Sequence, residues 1–218
     1  MAPRITASPS ISIDGYMAGP DQDESNPLGV GGGQLHEWIF ATKWGREMIG
    51  ETGGSEGIDF SVGNDFVNGA GATIMGRNMF GPERGTWGDS DWRGWWGDDP
   101  PFHHPVFVLT HFERPDLLVG DTTFHFVNGG VDSVVSMARA AAPDGDIHVG
   151  GGAATLKSFL NAQLVDVLRV AVVPIYLGMG ERLFEVAGEW PEGYEVRDII
   201  AGEGATHYTL VRTSPTSS

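Results

Sequence analysis

The chain predicts an α/β domain built on a mostly parallel, mixed central sheet with an antiparallel C-terminal edge. Three observations carry that expectation. Apolar runs of strand length alternate with segments of helical spacing through the middle of the chain; Gly, Pro and Asp punctuate the joins; and the last two runs, near 194–199 and 206–212, follow one another without a helix between them, as the arms of a hairpin do. At 218 residues there is material for one sizeable core, so a single domain over residues 1–212 is expected, followed by a polar, disordered tail at 213–218.

Residues 4–13 set Ile5, Ala7, Pro9, Ile11 and Ile13 against Thr6, Ser8, Ser10 and Ser12, the period of two of a strand with one polar face, which Asp14-Gly15 closes as a turn. The stretch 19–57 is Gly-rich and irregular, apart from 35–44, where Leu35, Trp38 and Ile39 predict a short helix. A second short helix is expected at 61–69, then a strand at 72–75 and a punctuated turn through Gly76-Arg77-Asn78-Met79-Phe80-Gly81-Pro82. Residues 85–104 scatter Trp87, Trp92, Trp95 and Trp96 among Gly, Asp and Pro, too broken for regular structure; this loop walls a substrate pocket, packs on its own tryptophans or forms a dimer contact. Strands follow at 106–110 and 123–127, and Val131, Val134, Val135 and Ala138 mark a helix. A buried strand at 146–149 runs into Gly150-Gly151-Gly152 and a helix at 153–162, and the strand at 167–176 is apolar on both faces, as one covered on both sides should be.

A net charge of −16 with only 13 Lys and Arg spread along the chain excludes a general affinity for nucleic acid or anionic membranes. An anionic ligand would need a local site of backbone N–H groups and a few arginines. The lack of Cys removes disulfides, thiolate catalysis and Cys-ligated metals. Neither a signal-peptide core nor a membrane-length apolar run is found, since the run 170–179 is broken by Pro174; a cytoplasmic protein is expected.

The strand–triple-glycine–helix order at 146–153 has two readings: a cradle that leaves helix N-terminal N–H groups open to phosphate, or a tight connection and nothing more. It completes neither the dinucleotide fingerprint, because Thr155 stands where a small residue is required, nor a phosphate-binding loop ahead of Lys157-Ser158, because Leu156 replaces its last glycine. Arg77, just after a glycine at a strand end, is either a surface arginine or a bidentate phosphate ligand. His36-Glu37 opens a zinc-protease motif that Phe40 breaks, and His103-His104 has no second ligand cluster, so no metal is expected.

Four segments in order, Ser12-Ile13-Asp14-Gly15-Tyr16-Met17-Ala18-Gly19, Ile74-Met75-Gly76-Arg77-Asn78-Met79-Phe80, Val106-Phe107-Val108-Leu109-Thr110-His111, and His148-Val149-Gly150-Gly151-Gly152 through Val173-Pro174-Ile175-Tyr176-Leu177-Gly178, resemble the dihydrofolate-reductase-like family. The likeness is closer to the branch related to the C-terminal reductase domain of bacterial riboflavin biosynthesis enzymes. The resemblance implies a sheet of about eight strands, NADPH as coenzyme, a small-molecule substrate, and a homodimer. It places Gly76, Arg77, Asn78 and Met79 at the phosphates of the adenosine side, Thr110 and His111 beside the 2′-phosphate, and Gly150, Gly151, Gly152, Ala153 and Ala154 at the pyrophosphate. The loop from Asp14 to Ala18 would cover the nicotinamide, with Asp14 facing the substrate or merely fixing its turn, and with Tyr16, Trp38, His36 and Glu37 on the substrate side.

The chain departs from the family in two places. Dihydrofolate reductases carry a carboxylate at the helix before the second strand; here an insertion at about 29–57 rebuilds the region, leaving Asp59 and Asp65 as stand-ins, with Asp59 alternatively a helix cap. The basic residue that riboflavin-pathway reductases place in the first strand is not found, nor is a fused deaminase domain. The implied activity is hydride transfer to a pteridine- or aminopyrimidine-like heterocycle or a conjugated substrate, 5-amino-6-(5-phosphoribosylamino)uracil reductase chemistry among the options. The alternative is a noncatalytic flavin- or small-molecule-binding protein that keeps the fold.

Overall fold

A computed structural model describes residues 3–67, 69–87, 91–184 and 192–213, with the side chains of 65–67 left aside. The chain forms strands β1 (Ile5–Ala7), β2 (Ser10–Ser12) and β3 (Tyr16–Ala18), a 3-10 turn (Gly32–His36), helices α1 (Glu37–Phe40), α2 (Lys43–Met48) and α3 (Ile58–Val67), strand β4 (Ala70–Gly76), helix α4 (Arg77–Phe80), and strands β5 (Val106–Leu109), β6 (Leu117–Val119) and β7 (Thr122–Val127). Helix α5 (Gly130–Ala141), strand β8 (Asp146–Gly151), helix α6 (Ala153–Asn161), and strands β9 (Val167–Val173), β10 (Glu181–Arg182), β11 (Tyr194–Ala201) and β12 (Thr206–Arg212) complete it.

Ten strands make the central sheet, in the order β11-β12-β9-β1-β8-β4-β5-β7-β6, with β2 also lying along β9. The interior strands β9, β1, β8, β4, β5 and β7 are parallel, while β12 and β11 at one edge and β6 at the other are antiparallel to their neighbours. The sheet is thus larger than the eight strands expected. The predicted strand 4–13 breaks at Pro9, which has no N–H for the ladder, although its carbonyl still accepts from Ala171 N, and so yields both β1 and β2. The three-residue β6 is too short to show a period, as are β3 and β10, which pair in a separate hairpin-like ribbon.

Side chains of one sheet face (Ile5, Ala7, Ala72, Ile74, Ile147, Val149, Leu168) pack under α5 and α6, whose Val134, Ala138, Leu156 and Phe159 are fully or nearly fully buried. The opposite face carries two smaller clusters. Met75, Val106, Val108 and Phe124 pack with Phe80 and Trp87, and Ala171 and Val173 pack with Leu35 and Trp38.

Other expectations shift in detail. The helix read at 35–44 is three short pieces, restarted where Thr42 Oγ1 accepts from Gly45 N at 3.1 Å. The turn after Gly76 is the one-turn helix α4, and the strand read to 176 stops at Val173, before Pro174. Within 85–104 the described residues form no helix or strand, as expected, and Trp92 and Trp96 pack inward around Phe80, Phe102 and Phe124. Thr213, read as the start of the tail, is held by Gly193 O through its N at 2.8 Å and its Oγ1 at 3.0 Å; residues 214–218 lie outside the described residues. Among the described residues no helix is long and apolar enough to cross a membrane.

Candidate functional site

Parallel strands deliver their C-terminal ends to one edge of a sheet, and ligands of open α/β sheets bind there. Strands β4, β5, β7 and β8 end at Gly76, Leu109, Val127 and Gly151, and just beyond them opens a crevice of about 450 Å³. Its walls are the residues that leave each strand: Gly76–Asn78, Leu109–Phe112, Asn128 with Gly130–Val131, and Gly152–Thr155. Gly152 N-caps α6, so the first N–H groups of that helix face the crevice.

The glycines there are steric requirements. A Cβ on Gly76 would collide with Thr155 Oγ1, so α4 and α6 approach closely only because position 76 has no side chain. Gly151 has φ +126°, a conformation L side chains rarely adopt, and the Gly151–Gly152 peptide is cis.

Arg77 lines the crevice with its guanidinium carbon 3.7 Å from the Trp87 ring centroid. Arg114 lies 4.7 Å from the same ring and donates to Trp92 O at 2.6 Å. Nη1 of Arg77 donates to Gly85 O, while its Nε and Nη2 are buried without a partner. Burial pushes the Arg77 pKa down, Arg84 and Arg114 act in the same direction, and Glu83 opposes them. Among the described lining residues Glu181 is the sole acid. Two buried guanidinium donors thus stand unpaired beside a glycine-lined helix N-terminus, and donors of this kind suit a phosphorylated anion.

Of the residues singled out in the sequence, Gly76, Arg77, Asn78, Thr110, His111, Gly152, Ala153 and Ala154 come together on this crevice. Met79 lies behind them: its Sδ is 3.3 Å from where a Gly150 Cβ would stand and 3.8 Å from that of Gly151. Thr110 Oγ1 accepts from Phe112 N at 3.1 Å and fixes the turn after β5. Asn128, Gly130, Val131, Thr155 and Phe112 were missed. The signal for three of them was present, because Val127-Asn128-Gly129-Gly130 repeats the strand, glycine, helix order that singled out 146–153.

Tyr16 lines a neighbouring recess of about 410 Å³ that shares Ala153, Ala154 and Glu181 with the crevice, and Arg182 stacks 4.4 Å from its ring. Asp14 binds the backbone: its carboxylate accepts from Leu177 N at 3.2 Å and Gly178 N at 2.7 Å, tying the turn after β2 to the segment beyond β9. Partial desolvation acts to raise the Asp14 pKa, but hydrogen bonds from Ser12, Gly178 and Leu177 outweigh it and leave the group below the usual carboxylate range.

Trp38 and Asp59 sit elsewhere. Trp38 is 4% exposed in the Leu35–Val173 cluster, donates Nε1 to Ser10 Oγ at 3.0 Å, and meets His207 edge-on. Asp59 is 2% exposed, with Oδ1 2.7 Å from His207 Nε2 and Oδ2 accepting from Gly204 N at 2.6 Å. Neither lines the crevice or the recess. Nor does Asp59 cap α3; Glu203 does, accepting from Ile58 N and Asp59 N at 3.0 Å each. His36 is half-buried with Nδ1 unpaired and its pKa lowered by burial, Glu37 is exposed, and the Asp65 side chain lies outside the described residues.

Solved structures share this architecture. A candidate riboflavin biosynthesis protein from Shewanella sp. PV-4 superposes with a TM-score of 0.60 at 20% identity, covering 97% of this chain and 99% of that one. The diaminohydroxyphosphoribosylaminopyrimidine deaminase/5-amino-6-(5-phosphoribosylamino)uracil reductase of Thermotoga maritima gives 0.55 at 12% identity over 97% of this chain and 57% of its own. Dihydrofolate reductase from Enterococcus faecalis, in complex with NADP(H), gives 0.54 at 15% identity, with 97% of each chain covered. By sequence, the uncharacterized protein YyaP of Bacillus subtilis (strain 168) is 29% identical over 126 residues, 55% of this chain and 62% of YyaP, so the match spans less than two thirds of that relative. The chain therefore has the dihydrofolate-reductase-like fold, the fold type of these reductases. The chain belongs to the RibD C-terminal domain family, whose family model matches residues 3–191.

Proposed function

We propose that the protein is an NADPH-dependent reductase that passes hydride to a small heterocyclic or conjugated substrate, with an aminopyrimidine-like ring favoured. The reading rests on Arg77, whose buried Nε and Nη2 lack partners at the edge of a crevice lined by glycines and a helix N-terminus. NADPH, when bound, supplies the hydride. Arg77, steadied on Trp87, holds the 2′-phosphate; Gly152, Ala153 and Ala154 at the start of α6 hold the pyrophosphate; and the turn fixed by Asp14, with Tyr16, borders the recess where the nicotinamide end and the substrate would meet. The aminopyrimidine preference is supported by the similarity of the fold to the T. maritima deaminase/5-amino-6-(5-phosphoribosylamino)uracil reductase. Asp59 takes no part in this scheme, because both its oxygens are engaged by His207 and Gly204. A cytoplasmic homodimer belongs to the same proposal, supported by the exposed Val196, Ile199 and Ile200 on edge strand β11, and light scattering of the purified chain checks it.

Fluorescence titration tests the coenzyme. A charge-assisted hydrogen bond is worth about 1.5–3 kcal/mol, so Arg77→Ala should weaken NADPH roughly ten- to a hundred-fold and spare NADH. Equal losses for both would remove Arg77 from the 2′-phosphate. Binding without turnover of any pterin, pyrimidine or quinone would favour the noncatalytic reading.

A further inference from the structure

A second cavity lies on the sheet face away from α5 and α6. The alternation that sends Ala7, Ile147, Ile74 and Val149 into the main core sends Thr6, His148 and Thr73 the other way. Register sets these three side by side, Thr6 opposite His148 and His148 opposite Thr73. They form a polar gap between the apolar cluster around Met75 and Val108 and the one around Ala171 and Val173. Above the gap is a pocket of about 480 Å³.

The pocket wall is aromatic and its rim acidic. Trp44 and Met48 of α2 line it together with Phe102 of the loop before β5, and the exposed carboxylates of Glu47 and Asp99 complete the lining. The floor is uncharged near neutral pH. Burial, with help from His104 and Arg169, pushes the His148 pKa down to about 4, and burial also lowers that of His104, whose Nε2 lies 2.8 Å from Thr73 Oγ1. His103, also in the lining, has Nδ1 2.8 Å from Asp121 Oδ1, and that carboxylate, with Asp99 within 4.8 Å adding to it, raises the His103 pKa.

A protein gains stability by filling such a gap with apolar side chains, at about 25 cal/mol per Å² buried, and ligand pockets fall in the same size range as this one. Aromatic faces attract cations, and two rim carboxylates add to that attraction while repelling anions. Neutral imidazoles offer hydrogen bonds without opposing positive charge. We propose that this pocket is a binding site, separate from the coenzyme crevice, for a flat organic cation such as a protonated amidine or aminoheteroaromatic ring. The cation lies between Trp44 and Phe102, pairs with Glu47 and Asp99, and meets His148 and His104 with its far edge. Thr73 and His148 each precede a strand end by three residues, which sets the floor roughly 10 Å back from the crevice mouth at 3.3 Å per residue.

The test uses two molecules of one shape and opposite charge, benzamidine and benzoate, added to the full-length protein at pH 7.5. Imidazole resonances of His148 and His104 and the fluorescence of Trp44 report on the site. Benzamidine should shift these signals saturably, with an affinity on the order of millimolar for so small a ligand, and benzoate should not. Saturating NADPH should leave the benzamidine signals in place, and Glu47→Gln combined with Asp99→Asn, both at exposed positions, should weaken benzamidine about ten-fold or more. No saturable shift, equal responses to the two probes, or displacement of benzamidine by NADPH each overturns the proposal. Because the readout is independent of turnover, a failed reductase assay leaves this result standing.

Discussion

Lowering the pH should expose the cost of burying His148. The imidazole has an ordinary pKa of 6.5, reduced to about 4 in the folded chain by desolvation first and by His104 and Arg169 next. Between those values the unfolded chain binds a proton that the folded chain refuses, so stability falls as pH falls through this window. At pH 5 the unfolded imidazole is almost fully protonated and the folded one is about one-tenth so, which makes the loss relative to pH 7 about 2 kcal/mol, with about 3.4 kcal/mol as the limit for 2.5 pKa units at 1.36 kcal/mol each. The measurement is urea unfolding of the protein and of His148→Gln at pH 7 and pH 5. Gln keeps a hydrogen-bonding group near Thr6 Oγ1, 3.4 Å from Nδ1 here, but does not titrate. Both proteins lose stability through their carboxylates, so the quantity that matters is the difference between the two drops. The native chain should lose about 2 kcal/mol more than the variant. Equal drops would mean that the imidazole is hydrated or already charged in the folded state, and would sink the argument.

Three further outcomes follow from the packing. Asp59→Asn removes the carboxylate from the buried His207 contact and should cost about 1.5–3 kcal/mol in chemical denaturation, while coenzyme affinity per folded molecule stays unchanged; selective loss of turnover at full stability would instead return Asp59 to the reaction. Gly76→Ala forces a methyl group onto Thr155 Oγ1 and should weaken NADPH, and adding Thr155→Ala should restore part of that binding; no rescue would locate the damage elsewhere. Trp87→Leu removes the ring between Arg77 and Arg114, so it should reduce the NADPH-over-NADH preference by a few-fold, on the scale of about 0.5–2 kcal/mol for a partly buried cation–π contact, as well as destabilise the fold; an unchanged preference would show that Arg77 holds its position without the ring.

Alternation and turn chemistry made most of the sheet legible in the sequence. The strands at 72–75, 106–110, 123–127 and 146–149 lie within a residue or two of β4, β5, β7 and β8, and the helices at 131–138 and 153–162 correspond to α5 and α6. These segments bury one face or one stripe against a single large core, so local pattern and tertiary position agree. Much of the strand-end crevice was legible for a related reason. A glycine that ends a strand and starts a helix marks backbone approach whatever the rest of the chain does, and Gly76 and Gly150–Gly152 both carry that mark.

Position across the fold was not legible. Asp59 and Trp38 have the residue types of an active site and lie in the insertion-bearing half of the chain. Only the return of β12 alongside β9, which carries His207 to Asp59 from 148 positions away, makes them parts of the interior. The same holds for Thr6, Thr73 and His148, which look like ordinary polar positions of three separate strands until register sets them side by side, with Thr73 and His148 lining one pocket. Hydrophobic period and turn residues are local properties, so sequence alone determined the elements and the glycine-marked strand ends. Which charges meet, and which are cut off from water, depends on contacts between distant segments, and the tertiary structure alone decided that.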